Sequence, residues 1–187
     1  MNQELIEQKF SEIMKDGLGL DLSDENYKET PKRVAKTYKE IFAGLENIDK
    51  DIDIILSKAF PSYYDGIVTI KNIKVYSMCP HHLLPVIYKV NVGVMYKDKM
   101  LGLSKIPRLV KLLAKRPMLQ ETFTQEIVEV LKDKLDVRGA ICTVSGEHMC
   151  MQMRGIEQNG SCCFTSSVVG TFREQRDLEL KFLEMIK

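Results

Sequence analysis

The sequence predicts an α+β fold whose main domain runs strand, strand, helix, helix, strand, strand, helix. Three observations carry this. Strand-forming residues cluster from Ile67 to Tyr96, helical apolar spacing follows over 105–115 and 118–135, and a strand pattern returns from Gly139 to about Val168. Residues 1–60 are expected to form an N-terminal helical extension and residues 61–187 the main domain.

Residues 2–16 carry Leu5, Ile6, Phe10, Ile13 and Met14 at helical spacing, and Gly17 supplies a stop. A polar link from Asp21 to Glu29 leads to Thr30-Pro31, where the threonine is expected to cap a helix and the proline to occupy its first position. That helix carries Val34, Tyr38, Ile41 and Phe42 and stops at Gly44. Neither helix holds a cluster of chemically active residues, so this third reads as packing and assembly surface. Ile67 to Tyr76 form the first strand and Val86 to Tyr96 the second, with Lys97-Asp98-Lys99 turning the chain. Two helices divided at Pro117 come next. The third strand opens at Gly139, and the fourth, from Cys162 to about Val168, is expected across a hairpin turn at Asn159-Gly160. Leu178, Phe182, Leu183 and Ile186 stripe a closing helix over 173–186.

The length, 187 residues, suits one domain or one domain with an extension. A net charge of +1 gives no general case for a nucleic-acid or membrane partner, so any anion site must be local. The first residues are acidic where a secretory signal would be basic, and no run of 18 apolar residues occurs, which predicts a cytoplasmic protein. Five cysteines, two of them adjacent at 162 and 163, favour thiols or metal ligation over a disulfide framework.

The chemistry concentrates in Glu147 to Gly155 and in Met78 to Pro85, which together hold all three histidines of the chain. Read as a strand, the first segment puts His148, Cys150, Gln152 and Arg154 on one face and Met149, Met151 and Met153 on a packing face. Cys79 and His82, two residues apart, can bring a thiolate and an imidazole to one ion, and Cys150 can add a second thiolate. Cys2His with an open fourth position is a catalytic zinc arrangement. A lone C-x-x-H is common by chance, and a single cysteine is usually a small apolar side chain. The flanking His81 and His148, suited to moving protons near neutral pH, weigh against the bland reading. Cys142, Cys162 and Cys163 lack such company and read as packing.

Gly102 to Arg108 runs from a turn into a helix start, where backbone amides with Ser104, Lys105 and Arg108 can hold a polyphosphate. Lysines and arginines near helices usually form solvated faces, and no P-loop pattern is present. Arg154 shares the predicted chemical face; its bland reading is a structural salt bridge. Glu121, after Gln120, has no distinguishing pattern beyond its helix.

Taken together, Thr30-Pro31-x-Arg33-Val34-Ala35, Cys79-x-His81-His82-Leu83-Leu84-Pro85, Gly102-Leu103-Ser104-Lys105-Ile106-x-Arg108, Gln120-Glu121 and His148-Met149-Cys150-Met151-x-Met153-Arg154-Gly155 closely resemble the GTP cyclohydrolase I family. The resemblance spans nearly the whole chain. It implies a tunnelling fold, with an antiparallel four-stranded sheet, two helices between the strand pairs, and barrels closed across subunits. It implies zinc (Zn2+) on Cys79, His82 and Cys150, proton transfer by His81 and His148, purine recognition by Glu121 beside Gln120, and triphosphate contacts from Ser104, Lys105, Arg108 and Arg154. It further implies GTP as substrate, no nucleic-acid or membrane partner, and a decamer of two pentamers with sites at subunit boundaries. Pro80, Thr122, Gln158 and Cys163 depart from the family's usual residues. A relative acting on another purine or pterin, and a non-catalytic zinc scaffold, are the alternatives at this point.

Overall fold

A computed structural model describes residues 1–187. Its contacts divide the chain into two compact units, residues 1–46 and 47–187.

The first unit is helical. In α1 (Gln3–Glu12) Asn2 caps the start by accepting from the Leu5 amide, and the chain continues through a π-turn at Ile13–Gly17. The second helix, α2 (Thr30–Ile41), packs on the first through Tyr38, whose ring meets Phe10 and Phe42 edge-on at 5.4 and 5.1 Å. The threonine cap expected at residue 30 does not form. The chain enters already wound, with Glu29 near helical geometry, the Arg33 amide bonded to Glu29 O at 3.0 Å, and the Thr30 hydroxyl turned back to donate to Asn26 O at 3.5 Å.

The second unit opens with α3 (Ile48–Leu56) and β1 (Ala59–Pro61), so both lie in it although they precede residue 61. A four-stranded antiparallel sheet follows, β2 (Val68–Met78), β3 (Pro85–Met95), β5 (Gly139–His148) and β6 (Cys163–Gly170), in the order β2-β3-β5-β6. The short β4 (Lys99–Leu101) pairs with β1 apart from it. Between the strand pairs run α4 (Lys105–Ala114) and α5 (Gln120–Leu135). This is the α+β order expected from the sequence.

Alternation builds the core. Val86, Tyr88, Val90, Val92 and Val94 of β3 point to one face, with Ala140, Cys142 and Val144 opposite them on β5. That face is covered by Ile106, Leu109, Val110 and Leu113 of α4 and by Phe123, Ile127, Val128 and Leu131 of α5. The opposite face carries a smaller cluster of Ile67, Met95, Ile141, Phe172 and Phe182. The last two come from α7 (Thr171–Glu174) and α8 (Arg176–Ile186), two segments where one helix was expected. Gln175, in extended geometry, separates them.

The hairpin predicted at Asn159-Gly160 is instead a turn inside the long connection between β5 and β6, with Gly160 at φ +79°. Gly170, where β6 meets α7, is a stricter case. It adopts φ +61°, and a Cβ there would stand 2.1 Å from the Arg138 carbonyl oxygen. Gly170→Ala is expected to destabilise the protein by about 2 kcal/mol or more, read as a lowered urea midpoint; an unchanged midpoint would refute the steric argument.

Candidate metal centre and active site

Two strand ends build the site. The last β2–β3 pair is Met78 with Pro85, and the turn between them is closed from both sides. Cys79 N–H donates to Leu84 O, and Leu83 N–H donates to Cys79 O, both at 2.9 Å. Leu83 takes φ +50°, a left-handed conformation that leucine adopts only under constraint. The turn leaves Cys79 buried and lifts His81 and His82 to the surface.

On the neighbouring strand, the expected continuation from Glu147 to Gly155 stops at His148. Residues Met149–Gln152 form one helical turn, α6. The reason lies in the partner: Val86 pairs with His148, and the next residue of β3 is Pro85, which has no amide hydrogen to extend the ladder. The methionines are correspondingly not a buried packing face; Met151 and Met153 are exposed.

The helical turn brings Cys150 to Cys79 and His82, and their ligand atoms all lie within 4.8 Å of one another. Cys79 Sγ is 3.8 Å from His82 Nδ1 and 4.0 Å from His81 Nδ1. Tetrahedral zinc with ordinary Zn–S and Zn–N bonds separates such atoms by roughly 3.5–3.8 Å. Two sulfurs and one imidazole nitrogen at these separations fit a zinc-type ion with small inward movement. Burial first, and then the neighbouring Cys79, push the Cys150 thiol above its ordinary range, so ion binding must displace a proton.

Arg154, expected beside His148 and Cys150, instead reaches across to His82, donating from Nη1 to Nε2 at 2.8 Å. A neutral imidazole whose Nε2 accepts carries its hydrogen on Nδ1, which faces Cys79 Sγ. Both ring nitrogens of His82 thus have a partner.

Gln120, expected among substrate contacts, is buried at 2% exposure and joins a hydrogen-bond network. Its Nε2 donates towards Val144 O, Cys163 O and Thr165 Oγ1 at 3.0–3.1 Å. That arrangement fixes Oε1 toward His148, whose Nε2 must then be the donor across 2.9 Å. The His148 Nδ1 lone pair is left free. Burial lowers the His148 pKa and so favours the neutral ring, with the Glu121 charge partly opposing it. Thr124 ties the network to α5, donating to Gln120 O at 2.7 Å and lying 2.6 Å from Thr165 Oγ1.

Tyr88 lies beside His148 and is a residue that the sequence reading passed over. Its ring stacks on Phe123 at 4.9 Å and meets His148 edge-on at 6.1 Å. It is fully buried, yet its hydroxyl has no hydrogen-bond partner. Burial first, and then the charges of Cys79, Glu121, Cys163 and Cys150, push its ionisation well above the ordinary tyrosine value. Room for the ring comes from Gly146, its cross-strand partner, where a Cβ would lie 2.2 Å from Gln120 Oε1 and 2.9 Å from Tyr88 Cε1. The available signal was a tyrosine on the core parity of β3 facing a glycine.

Of the remaining expected residues, Glu121 stands near enough for its charge to act on His148 and Tyr88, and those of α4 make no contact with this centre. Glu121 is exposed in the first turn of α5. Ser104 and Arg108 are exposed and Lys105 half-buried at the start of α4, without salt bridges. Of the cysteines read as packing, Cys142 is fully buried, Cys163 is half-buried and Cys162 is exposed.

The family model described as GTP cyclohydrolase I matches residues 6–187. GTP cyclohydrolase 1 of Finegoldia magna is 42% identical over 179 residues, covering 96% of this chain and 95% of that protein. GTP cyclohydrolase 1 of Bacillus subtilis is 39% identical over 188 residues, covering 100% of this chain and 97% of that protein. Among solved structures, an archaeosine synthase QueF-like protein in the apo form is similar at TM-score 0.45 and 15% identity, over 57% of this chain and 96% of that one.

The Gln120 network generates a test. Gln120→Ala leaves the carbonyls of Val144 and Cys163 and the His148 N–H without their buried partner. A stability loss of about 2–4 kcal/mol is expected from denaturant unfolding, and an unaffected midpoint would show that the network is dispensable to the fold.

Proposed function

The chain belongs to the GTP cyclohydrolase I family, and on that premise we propose that it is a hydrolase that opens the imidazole ring of GTP. Formate is released, and the remainder rearranges to 7,8-dihydroneopterin triphosphate, a first step of pterin, folate or deazapurine biosynthesis. The observation that carries this reading is the convergence of Cys79, His82 and Cys150 beside a histidine oriented by Gln120.

Cys79, His82 and Cys150 hold the ion, for which we propose zinc on the softness of two thiolates and an imidazole. When bound, such an ion supplies Lewis acidity that makes water nucleophilic near neutral pH. His148 is the first proton carrier. With its Nε2–H held by Gln120 Oε1, the Nδ1 lone pair can take a proton as water adds at C8 and return it as the ring opens. His81, exposed and with Nδ1 4.0 Å from Cys79 Sγ, is the second. Gln120 acts through His148 and is a positioning residue.

Glu121 accepts from the guanine N1–H and 2-amino groups, a pattern that adenine lacks. Ser104, Lys105 and Arg108 at the start of α4, together with Arg154, take the triphosphate. Arg154, which donates to His82 Nε2 at 2.8 Å, stands beside the residues that would hold the ion, where its guanidinium can meet a phosphate.

We further propose a cytoplasmic decamer of two pentamers with sites completed at subunit boundaries. The β2 and β6 edges of the sheet support this, since each offers an unpaired strand to a neighbouring copy. No helix is long and apolar enough to cross a membrane. The family match over residues 6–187 does not favour another purine substrate or a non-catalytic scaffold.

Formate and dihydroneopterin triphosphate are expected from GTP in one sample, lost on chelation and restored by zinc. A folded, zinc-loaded protein that yields neither would overturn the reading. Cys150→Ser is expected to lose bound zinc and turnover together. His148→Ala is expected to keep its zinc while kcat falls by about 10²–10⁴; unchanged kcat would remove His148 from the proton path.

A further inference from the structure

We propose that the bare face of the sheet carries a second anion site, built on Lys74 and Lys89, that takes the phosphate groups of a small molecule. Helices α4 and α5 cover one face of the sheet, and Phe182 of α8 covers the other only where Gly93 pairs with Ile141. Beyond that row the second face is open. Strand alternation sets Lys89 and Ser145 on it, pointing away from Tyr88, Val90 and Val144. Glu147 stands there too, on the other side of the sheet from His148. Asn72, Lys74, Lys89, Ser145 and Glu147 are among the residues that line a cavity of about 370 Å³ on this face.

Two features distinguish this cavity from an ordinary solvated surface. The first is the lysine pair. Lys74 and Lys89 are direct cross-strand partners, which places their Cβ atoms about 5 Å apart and sets like charges against each other. Neither ammonium has a carboxylate partner, and Lys74 Nζ instead lies 5.6 Å from the centre of the Tyr76 ring. The second is the set of donors around them. Asn72 sits at φ +62° in the bulge between Ile70 and Ile73, which keeps its side chain on the cavity. Asn91 closes the next row by accepting from the Asn72 N–H at 2.9 Å and donating to Thr143 Oγ1 at 3.1 Å. The Asn72 carboxamide and the Ser145 hydroxyl take no part in that row and remain available to a ligand.

Two ammonium groups, a carboxamide N–H and a hydroxyl are donors that the several oxygens of one phosphate can satisfy together. The bound anion replaces like-charge repulsion with charge-assisted hydrogen bonds. Glu147, paired with Ile87 one row away, is the one carboxylate lining the cavity, and it can accept from a hydroxyl or amino group that the ligand carries.

The test is calorimetric titration of the zinc-loaded protein with inorganic phosphate and, separately, with ATP, at low ionic strength. Lys74→Ala and Lys89→Ala are each expected to weaken binding about tenfold. Lys99→Ala, which removes an exposed lysine of β4, should leave it unchanged. Lys105→Ala, at the start of α4, should keep the binding step that Lys74→Ala loses. Lys74→Glu should abolish that step and raise the melting temperature, because it exchanges a like-charge pair for an opposite one. Tighter binding of ATP than of phosphate assigns the site to a nucleotide, and equal binding assigns it to the free anion.

No binding, or equal isotherms for wild type and both lysine variants, would overturn the inference. So would a loss in Lys99→Ala as large as in Lys74→Ala, which marks diffuse charge. Binding that Lys105→Ala removes and Lys74→Ala keeps would place the anion on α4 and overturn it as well. The inference does not rest on GTP turnover, so a protein inactive toward GTP that still binds phosphate through Lys74 and Lys89 supports it.

Discussion

The β3–β5 ladder ends at Val86 and His148, and much of the site depends on that ending. Pro85 offers no amide hydrogen, so the chain beyond His148 has no strand to join and must satisfy its backbone locally. It does so in the single helical turn of Met149–Gln152. A strand would have carried Cys150 away along the sheet. The turn instead brings it back toward the tip of the neighbouring hairpin, where the closed Cys79–Leu84 turn presents Cys79 and His82. One missing hydrogen-bond donor thus helps to gather three ligands from two segments.

Behind the ligands lies a buried polar network that ties helix to sheet. Gln120 reaches from the first turn of α5 to backbone carbonyls of both β5 and β6, and Thr124 and Thr165 extend the contact. In a core otherwise almost wholly apolar, such a network is favourable only if its members are satisfied. Gln120 is satisfied in one orientation, and that orientation selects the His148 tautomer. Structural polarity and proton chemistry are therefore the same set of bonds. Tyr88, beside them, is the member left unpaired, which sets it apart from its neighbours.

Much of this could be read from residue types and their periodicity. Val86 to Val94 alternates at the period of a half-covered strand, and the structure buries that face under α4 and α5. The ligand residues were legible because two cysteines and a histidine have few other reasons to share segments with further histidines. Local reading failed where periodicity gave a false cue. Polar and apolar residues also alternate from His148 to Arg154, yet no partner strand exists there. The predicted hairpin at Asn159-Gly160 failed similarly, because a favourable turn sequence does not decide where the flanking strands begin.

By itself the sequence determined the class of fold, the order of strands and helices, and the donor chemistry of the ligand set, all of which follow from side-chain type and short-range spacing. The tertiary structure decided how those groups are used. Gln120 meets His148 across 28 residues of sequence, and Arg154 meets His82 across 72. Tyr88 depends on a glycine in the strand beside it. Tautomer, proton position and the pairing of a buried hydroxyl are set by which atoms lie within about 3 Å, and only the packed chain brings those atoms together.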